Sequence, residues 1–125
     1  MKNVLVVEDN EALSGIMNDA LVSEGYKVIL AHNGAEALQI AFDTHPDIIL
    51  LDLTLPLMGG MDVLRSLRLD EWGKLVPTII FTNKDTNESI MNAVREYAQA
   101  YFIKSVTPLK TIMSTVSELL NGKEE

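Results

Sequence analysis

Five side chains able to do chemistry stand directly after runs dominated by large apolar residues. Glu8 and Asp9 follow Val4-Leu5-Val6-Val7, and Asp52 follows Ile48-Ile49-Leu50-Leu51. Thr82 follows Thr78-Ile79-Ile80-Phe81, and Lys104 follows Ala100-Tyr101-Phe102-Ile103. Carboxylates brought within a few ångströms raise one another's pKa, so all three acids stay ionised only if a cation shares their site. Mg²⁺ suits such a site, because it takes carboxylate, carbonyl and water oxygens and typically works beside a phosphate. With the metal and Lys104 supplying positive charge, a phosphoryl group can approach and an in-line carboxylate can attack it. The product is an aspartyl phosphate. A Thr82 hydroxyl donating to one of its oxygens would couple the chemical state of Asp52 to the loop that follows. Each residue alone has a plainer explanation. Asp52 caps the turn toward Pro56. Glu8 and Asp9 cap a helix, although two acids exceed what one cap needs. Thr82 satisfies loop backbone groups, and Lys104 ends a strand in solvent.

The elements between these groups decide whether they meet. Unbroken aliphatic runs mark strands buried on both faces, as in a parallel sheet covered by helices. Leu13, Ile16, Met17, Ala20 and Leu21 form one helical stripe that Gly25 ends, with Asn10 or Asp9 as its cap. Residues 26–31 read as a short edge strand away from the site, ending in uncharged Ala31. A helix over about residues 35–43 points Ala37, Leu38, Ala41 and Phe42 inward and leads through Pro46 to the strand before Asp52. Pro56-Leu57-Met58-Gly59-Gly60 is a loop whose two glycines permit backbone angles that other residues resist. Beyond it, Val63, Leu64 and Leu67 define a helix, and Trp72 anchors the loop that follows. Ile90, Val94 and Tyr97 or Ala98 mark the next helix. Leu109, Ile112, Met113, Val116, Leu119 and Leu120 mark the last.

Strands alternating with helices give an α/β fold, a doubly wound five-stranded parallel sheet with helices on both faces. Its simplest strand order is the flavodoxin-like 2-1-3-4-5. In that order the first and third strands lie side by side at the switch point. Glu8, Asp9 and Asp52 then share one crevice, with Thr82 and Lys104 arriving from the adjoining strands.

At 125 residues the expectation is a single domain, residues 1–125. Ten basic against eighteen acidic residues, a net charge of -8, argue against direct binding to nucleic acid or an anionic membrane. The absence of cysteine removes disulfides and thiolate metal sites and suits a reducing cytosol. Val4 to Val7 stops at Glu8, far short of a secretory h-region or the roughly 20 residues of a membrane span. A cytoplasmic protein is expected.

The ordered set Glu8-Asp9, Asp52, Thr82 and Lys104, with the Pro-x-Met-x-Gly-like loop at Pro56, resembles the receiver domains of bacterial two-component response regulators over nearly the whole chain. The resemblance implies that Asp52 is the phosphoacceptor, and that Asp9, Asp52 and the Thr54 carbonyl bind Mg²⁺. It implies that Glu8 acts through metal-bound water, that Lys104 and Thr82 contact phosphoryl oxygens, and that Tyr101 is the switch aromatic. Thr54 and Lys84 would tune the phosphoryl lifetime. The implied partners are a sensor histidine kinase or phosphotransfer protein upstream, and a downstream protein or fused output domain. Output would pass through the face made by the fourth helix, fifth strand and fifth helix. Such a protein catalyses only its own phosphorylation and dephosphorylation and is not an enzyme in the usual sense.

Three departures stand out. Ser105 replaces the proline that usually follows the lysine through a cis bond, which predicts a strained cis Lys104-Ser105 bond or a loop that aims Lys104 less well. Asn83 replaces a small residue, and Tyr97 a glycine. These keep open a degenerate receiver that only binds proteins. An aspartate-nucleophile phosphatase is a further alternative, although Asp52-Leu53-Thr54 lacks the second acid of an Asp-x-Asp signature.

Overall fold

The computed structural model describes residues 1–83 and 88–121. Lys84, expected to tune the phosphoryl lifetime, lies outside them. In chain order the elements are β1 (Asn3–Val7), α1 (Glu11–Ser23), β2 (Lys27–Ala31), α2 (Gly34–Thr44), β3 (Ile48–Leu51) and α3 (Gly60–Arg68). They continue with β4 (Thr78–Thr82), α4 (Glu88–Tyr97), β5 (Ala100–Ile103) and α5 (Leu109–Asn121). All pairings are parallel and the sheet order is β2-β1-β3-β4-β5, the order expected of a flavodoxin-like doubly wound sheet.

Alternation along the strands divides the core in two. Leu5, Val7, Ile49, Leu51 and Ile80 face the layer containing α2, α3 and α4, where they meet Ala37, Ala41, Leu64, Leu67 and Val94. Val4, Val6, Ile48, Leu50, Ile79 and Phe81 face α1 and α5, where they meet Met17, Leu21, Ile112 and Val116. Every aliphatic of the runs in β1 and β3 is at most 1% exposed, which explains why those runs show no polar alternation.

Local chemistry sets the element ends. Asn10 Oδ1 accepts from the Leu13 N–H and caps α1, while Asn33 Oδ1 does the same for α2 through Glu36. Gly25, at φ 97°, ends α1 as its position implies. Two residues expected to point inward do not: Ile16 is 53% exposed and Phe42 39% exposed. α1 packs on one layer only, so its buried strip narrows to Ser14, Met17 and Leu21. Phe42 turns instead toward Trp72, edge to face at 6.3 Å, and His45 stacks on the same indole at 4.3 Å. Trp72 does anchor the α3–β4 loop. Its partner His45, the α2 C-cap at φ 48°, carried no sequence signal for that role.

Among the described residues, no helix is long and apolar enough to cross a membrane.

Candidate functional site

Register delivers the acids to one place. Val7 pairs with Leu51, so Glu8 and Asp52 leave neighbouring strands at the same level, and the Asp52 N–H donates to the Val7 carbonyl at 3.1 Å. Thr82 pairs with Ile103, and the Lys104 N–H donates to the Thr82 carbonyl at 3.0 Å. Glu8, Asp9, Asn10, Leu13, Asp52, Thr54, Asn83 and Lys104 line an open cleft of about 710 Å³ over the carboxyl ends of these strands.

Lys104 is the centre of the cleft's electrostatics. Its Nζ lies 2.5 Å from Glu8 Oε1 and 2.9 Å from Asp52 Oδ2, and sits 5.1 Å from the centroid of the Phe81 ring. Glu8 and Asp52 are 1% and 3% exposed, so these are desolvated, charge-assisted contacts. The second oxygens are also held. Glu8 Oε2 accepts the Asn10 N–H at 2.9 Å, and Asp52 Oδ1 accepts the Thr54 N–H at 3.0 Å. Burial pushes the Glu8 carboxyl above its ordinary pKa, the Lys104 contact and the Asn10 N–H pull against that rise, and the Asp52 charge adds to it. Burial also works to lower the Lys104 pKa, but its bonds to Asp52 and Glu8 win and the net direction is upward. The lysine therefore stays charged.

Asn10 takes over the helix cap, which leaves Asp9 exposed at the cleft. Glu8, Asp9 and Asp52 can each present one oxygen within 4.8 Å of the other two. Among the described residues, three carboxylates face one amine, an oxygen-rich donor set with excess negative charge of the kind a hard divalent ion prefers. The residues fit Mg²⁺.

Lys104 answers the expectation raised by Ser105. Among the described residues no peptide bond is cis, and Lys104 still reaches Asp52. Both the strained cis bond and the misaimed lysine are therefore overturned. A turn closed by the Val106 N–H on the Ile103 carbonyl at 3.2 Å reverses the chain without proline, and the lysine stem spans the remaining distance. Thr82 is fully buried at the end of β4, and Tyr101 is half-buried on β5 against the layer of α2 to α4. Thr54 and Asn83 are exposed at the rim. Sequence reasoning gave Asn10 and Phe81 no place in the site. Asn10 reads in the sequence only as a helix cap, and an aromatic one residue before Thr82 reads as ordinary core.

The response regulator receiver domain model matches residues 4–116. The chain belongs to that family. This receiver domain is 40% identical over 81 residues to the polar-differentiation response regulator DivK of Brucella ovis, covering 65% of this chain and 66% of that one. It is 30% identical over 124 residues to the DNA-binding response regulator MtrA of Mycolicibacterium smegmatis, covering 99% of this chain and 53% of that relative. The matches thus span just under two thirds of the one relative and about half of the other. Among solved structures, the response regulator TrrA of Thermotoga maritima in complex with Mg²⁺ and BeF superposes at TM-score 0.85 with 29% identity, covering 96% of this receiver domain and 100% of that chain. The receiver domain of sensor histidine kinase PA1611 of Pseudomonas aeruginosa PAO1, with a magnesium ion in its active-site cleft, superposes at 0.86 with 26% identity over 97% and 98%. The family is a signalling one rather than a class of conventional enzymes.

Proposed function

We propose that this receiver domain is a phosphorylation-dependent switch that accepts a phosphoryl group on Asp52 from the phosphohistidine of a sensor histidine kinase or phosphotransfer protein. The observation that carries the reading is the buried Asp52 carboxylate held 2.9 Å from Lys104 Nζ at the floor of an acidic cleft. Asp52 attacks phosphorus, the N–P bond of the donor breaks, and its electron pair returns to the imidazole. Lys104, already charged and fixed by Glu8, stays beside the reacting carboxylate and pairs with a phosphoryl oxygen. The Thr54 N–H orients the carboxylate through Oδ1.

Asp9, Asp52 and the Thr54 carbonyl would hold Mg²⁺, with Glu8 acting through a metal-bound water. When bound, the ion supplies charge neutralisation for the incoming phosphoryl group. The Mg²⁺ and BeF complex of TrrA and the magnesium ion in the active-site cleft of the PA1611 receiver support that assignment.

Thr82, at the end of β4 beside the strand that carries Lys104, would donate its hydroxyl to a phosphoryl oxygen. Tyr101 follows on the adjacent strand, so the signal leaves through α4, β5 and α5 toward a downstream protein or output domain. The protein acts in the cytoplasm, and residues 1–125 form its receiver unit.

Incubation with acetyl phosphate and Mg²⁺, followed by intact mass measurement, tests the reading. The wild-type chain should gain one phosphoryl group and Asp52→Asn none. An unmodified wild type, or equal labelling of both chains, would overturn it.

A further inference from the structure

Arg68, the last residue of α3, is held by no carboxylate among the described residues. Its Nε donates to the Tyr97 carbonyl at 2.9 Å, and Nη1 donates to the Gly73 and Val76 carbonyls at 2.6 and 2.9 Å. Nη2 lies 3.4 Å from Gln99 Oε1, which also accepts the Thr78 N–H at 2.7 Å. The Gln99 N–H returns the bond to the Thr78 carbonyl at 2.9 Å. One guanidinium therefore joins the end of α3, the α3–β4 loop, the last residue of α4 and, through Gln99, the first residue of β4.

Tyr97 is where α4 leaves carbonyls unsatisfied and carries its negative dipole end, so a cation there is favourable twice over. The one fully buried side chain of α4 lies in its C-terminal half, although Arg95 and Glu96 beside the clasp are exposed and Tyr97 is half-buried. That residue is Val94, whereas Glu88 and Ser89 are exposed and Ile90 and Met91 are half-buried. The clasp and the phosphoacceptor cleft lie at opposite ends of β4, from Thr78 to Thr82, roughly 13 Å apart at the rise of a β-strand.

We infer that Arg68 and Gln99 form a clasp that fixes the C-terminal end of α4, so that the helix swings about Tyr97 when the cleft beside Thr82 changes state. The trigger rests on the phosphoacceptor reading; the clasp does not. A helix of ten residues is about 15 Å long, so a pinned end turns a small push near the cleft into a tilt rather than a translation. Arg68 and Gln99 are positioning residues in this scheme and touch neither substrate nor metal.

The test is amide hydrogen exchange and NMR on the full chain, unliganded and with Mg²⁺ and beryllofluoride, for wild type, Arg68→Gln and Gln99→Met. In the unliganded variants, the amides at positions 98 and 99 should exchange at least 10-fold faster than in wild type, since both are hydrogen-bonded at the clasped end. In wild type, beryllofluoride should shift the side-chain resonances of Ile90 and Met91 by several times more than those of Val94 and the amide of Tyr97. In either variant that contrast should shrink. Unchanged exchange at 98 and 99 in both variants, or wild-type shifts at Val94 and Tyr97 as large as those at Ile90 and Met91, would overturn the clasp. Gln99→Met, at an exposed position, decides the matter if Arg68→Gln does not fold. Beryllofluoride that perturbs nothing around Asp52 refutes the phosphoacceptor reading instead, and the exchange measurements in the unliganded protein then decide the clasp alone.

Discussion

Lys104 neutralises Glu8 in a place where water cannot, and the two acids it touches make its removal costly in a pH-dependent way. Glu8 is essentially inaccessible, and among the described residues its only cationic contact is the lysine. Lys104→Met keeps the length of the stem and deletes the charge, leaving a buried carboxylate with one backbone N–H. The loss of a charged hydrogen bond of this kind is about 2 kcal/mol. The pH dependence follows from direction alone. The folded Glu8 already has a raised pKa, from burial first, and losing the lysine raises it further. A carboxyl raised on folding carries no penalty below its unfolded pKa, where both states are protonated. It destabilises progressively as pH rises toward the folded value. Urea denaturation in the presence of a chelator should therefore show Lys104→Met well below wild type at pH 7 and close to it near pH 4. A pH-independent gap would contradict the pairing. The residues of this site were legible because each follows an apolar run. Its aim was not, since the missing proline after Lys104 suggested distortion, whereas the lysine reaches Asp52 at 2.9 Å from a turn closed by the Val106 N–H on the Ile103 carbonyl.

The β3–α3 loop shows the same limit at the scale of an element. Its glycines suggested unusual backbone angles, but Gly59 has an ordinary extended conformation, Gly60 begins the helix, and the positive φ belongs to Leu57 at 71°. What Gly60 provides is room. A Cβ there would run into the Asp52 carbonyl and the Leu53 backbone, whereas one on Gly59 would make only ordinary contact with the Leu53 carbonyl at 3.8 Å. α3 thus starts pressed against the backbone of Asp52 and Leu53, with the Gly60 N–H donating to the Leu53 carbonyl. Gly60→Ala should cost about 1–3 kcal/mol, as overpacking does, and slow acetyl phosphate labelling of Asp52 by moving its peptide. Gly59→Ala should leave both stability and labelling near wild type. Thermal melts and labelling time courses on the two variants check this, and equal effects would show that loop flexibility, not close approach, is what the glycines supply. Spacing in the sequence marks that glycine is needed here. Whether it is needed for an angle or for space depends on which backbone lies opposite, and that is a tertiary fact.

At the scale of the whole molecule, the sheet order followed from the sequence because five apolar runs alternate with helical stripes, and right-handed crossovers leave few ways to connect them. The two buried layers then followed from strand alternation. The finer outlines, such as exposed Ile16 and Phe42 turned onto Trp72, depend on how many layers each helix meets. The charge of -8 has a consequence for stability that is concentrated at the cleft. Among the described residues, Glu8, Asp9 and Asp52 crowd their oxygens within 4.8 Å around one amine, which leaves repulsion in the folded state that unfolding would relieve. A divalent ion that binds only the folded chain stabilises it by mass action, by about 2.7 kcal/mol at a hundredfold excess over Kd. For a domain of this size that corresponds to a rise in melting temperature on the order of 10 °C. Sodium at matched ionic strength screens exposed charges but cannot bridge the three oxygens, so it should give a much smaller rise. Asp9→Asn removes the exposed carboxylate of the cluster without touching the buried Lys104 contacts. It should raise the metal-free melting temperature slightly, by easing repulsion, and abolish most of the Mg²⁺ increment. Differential scanning fluorimetry across a Mg²⁺ titration separates the two effects. An increment of equal size in wild type and Asp9→Asn would place the ion somewhere other than this cleft.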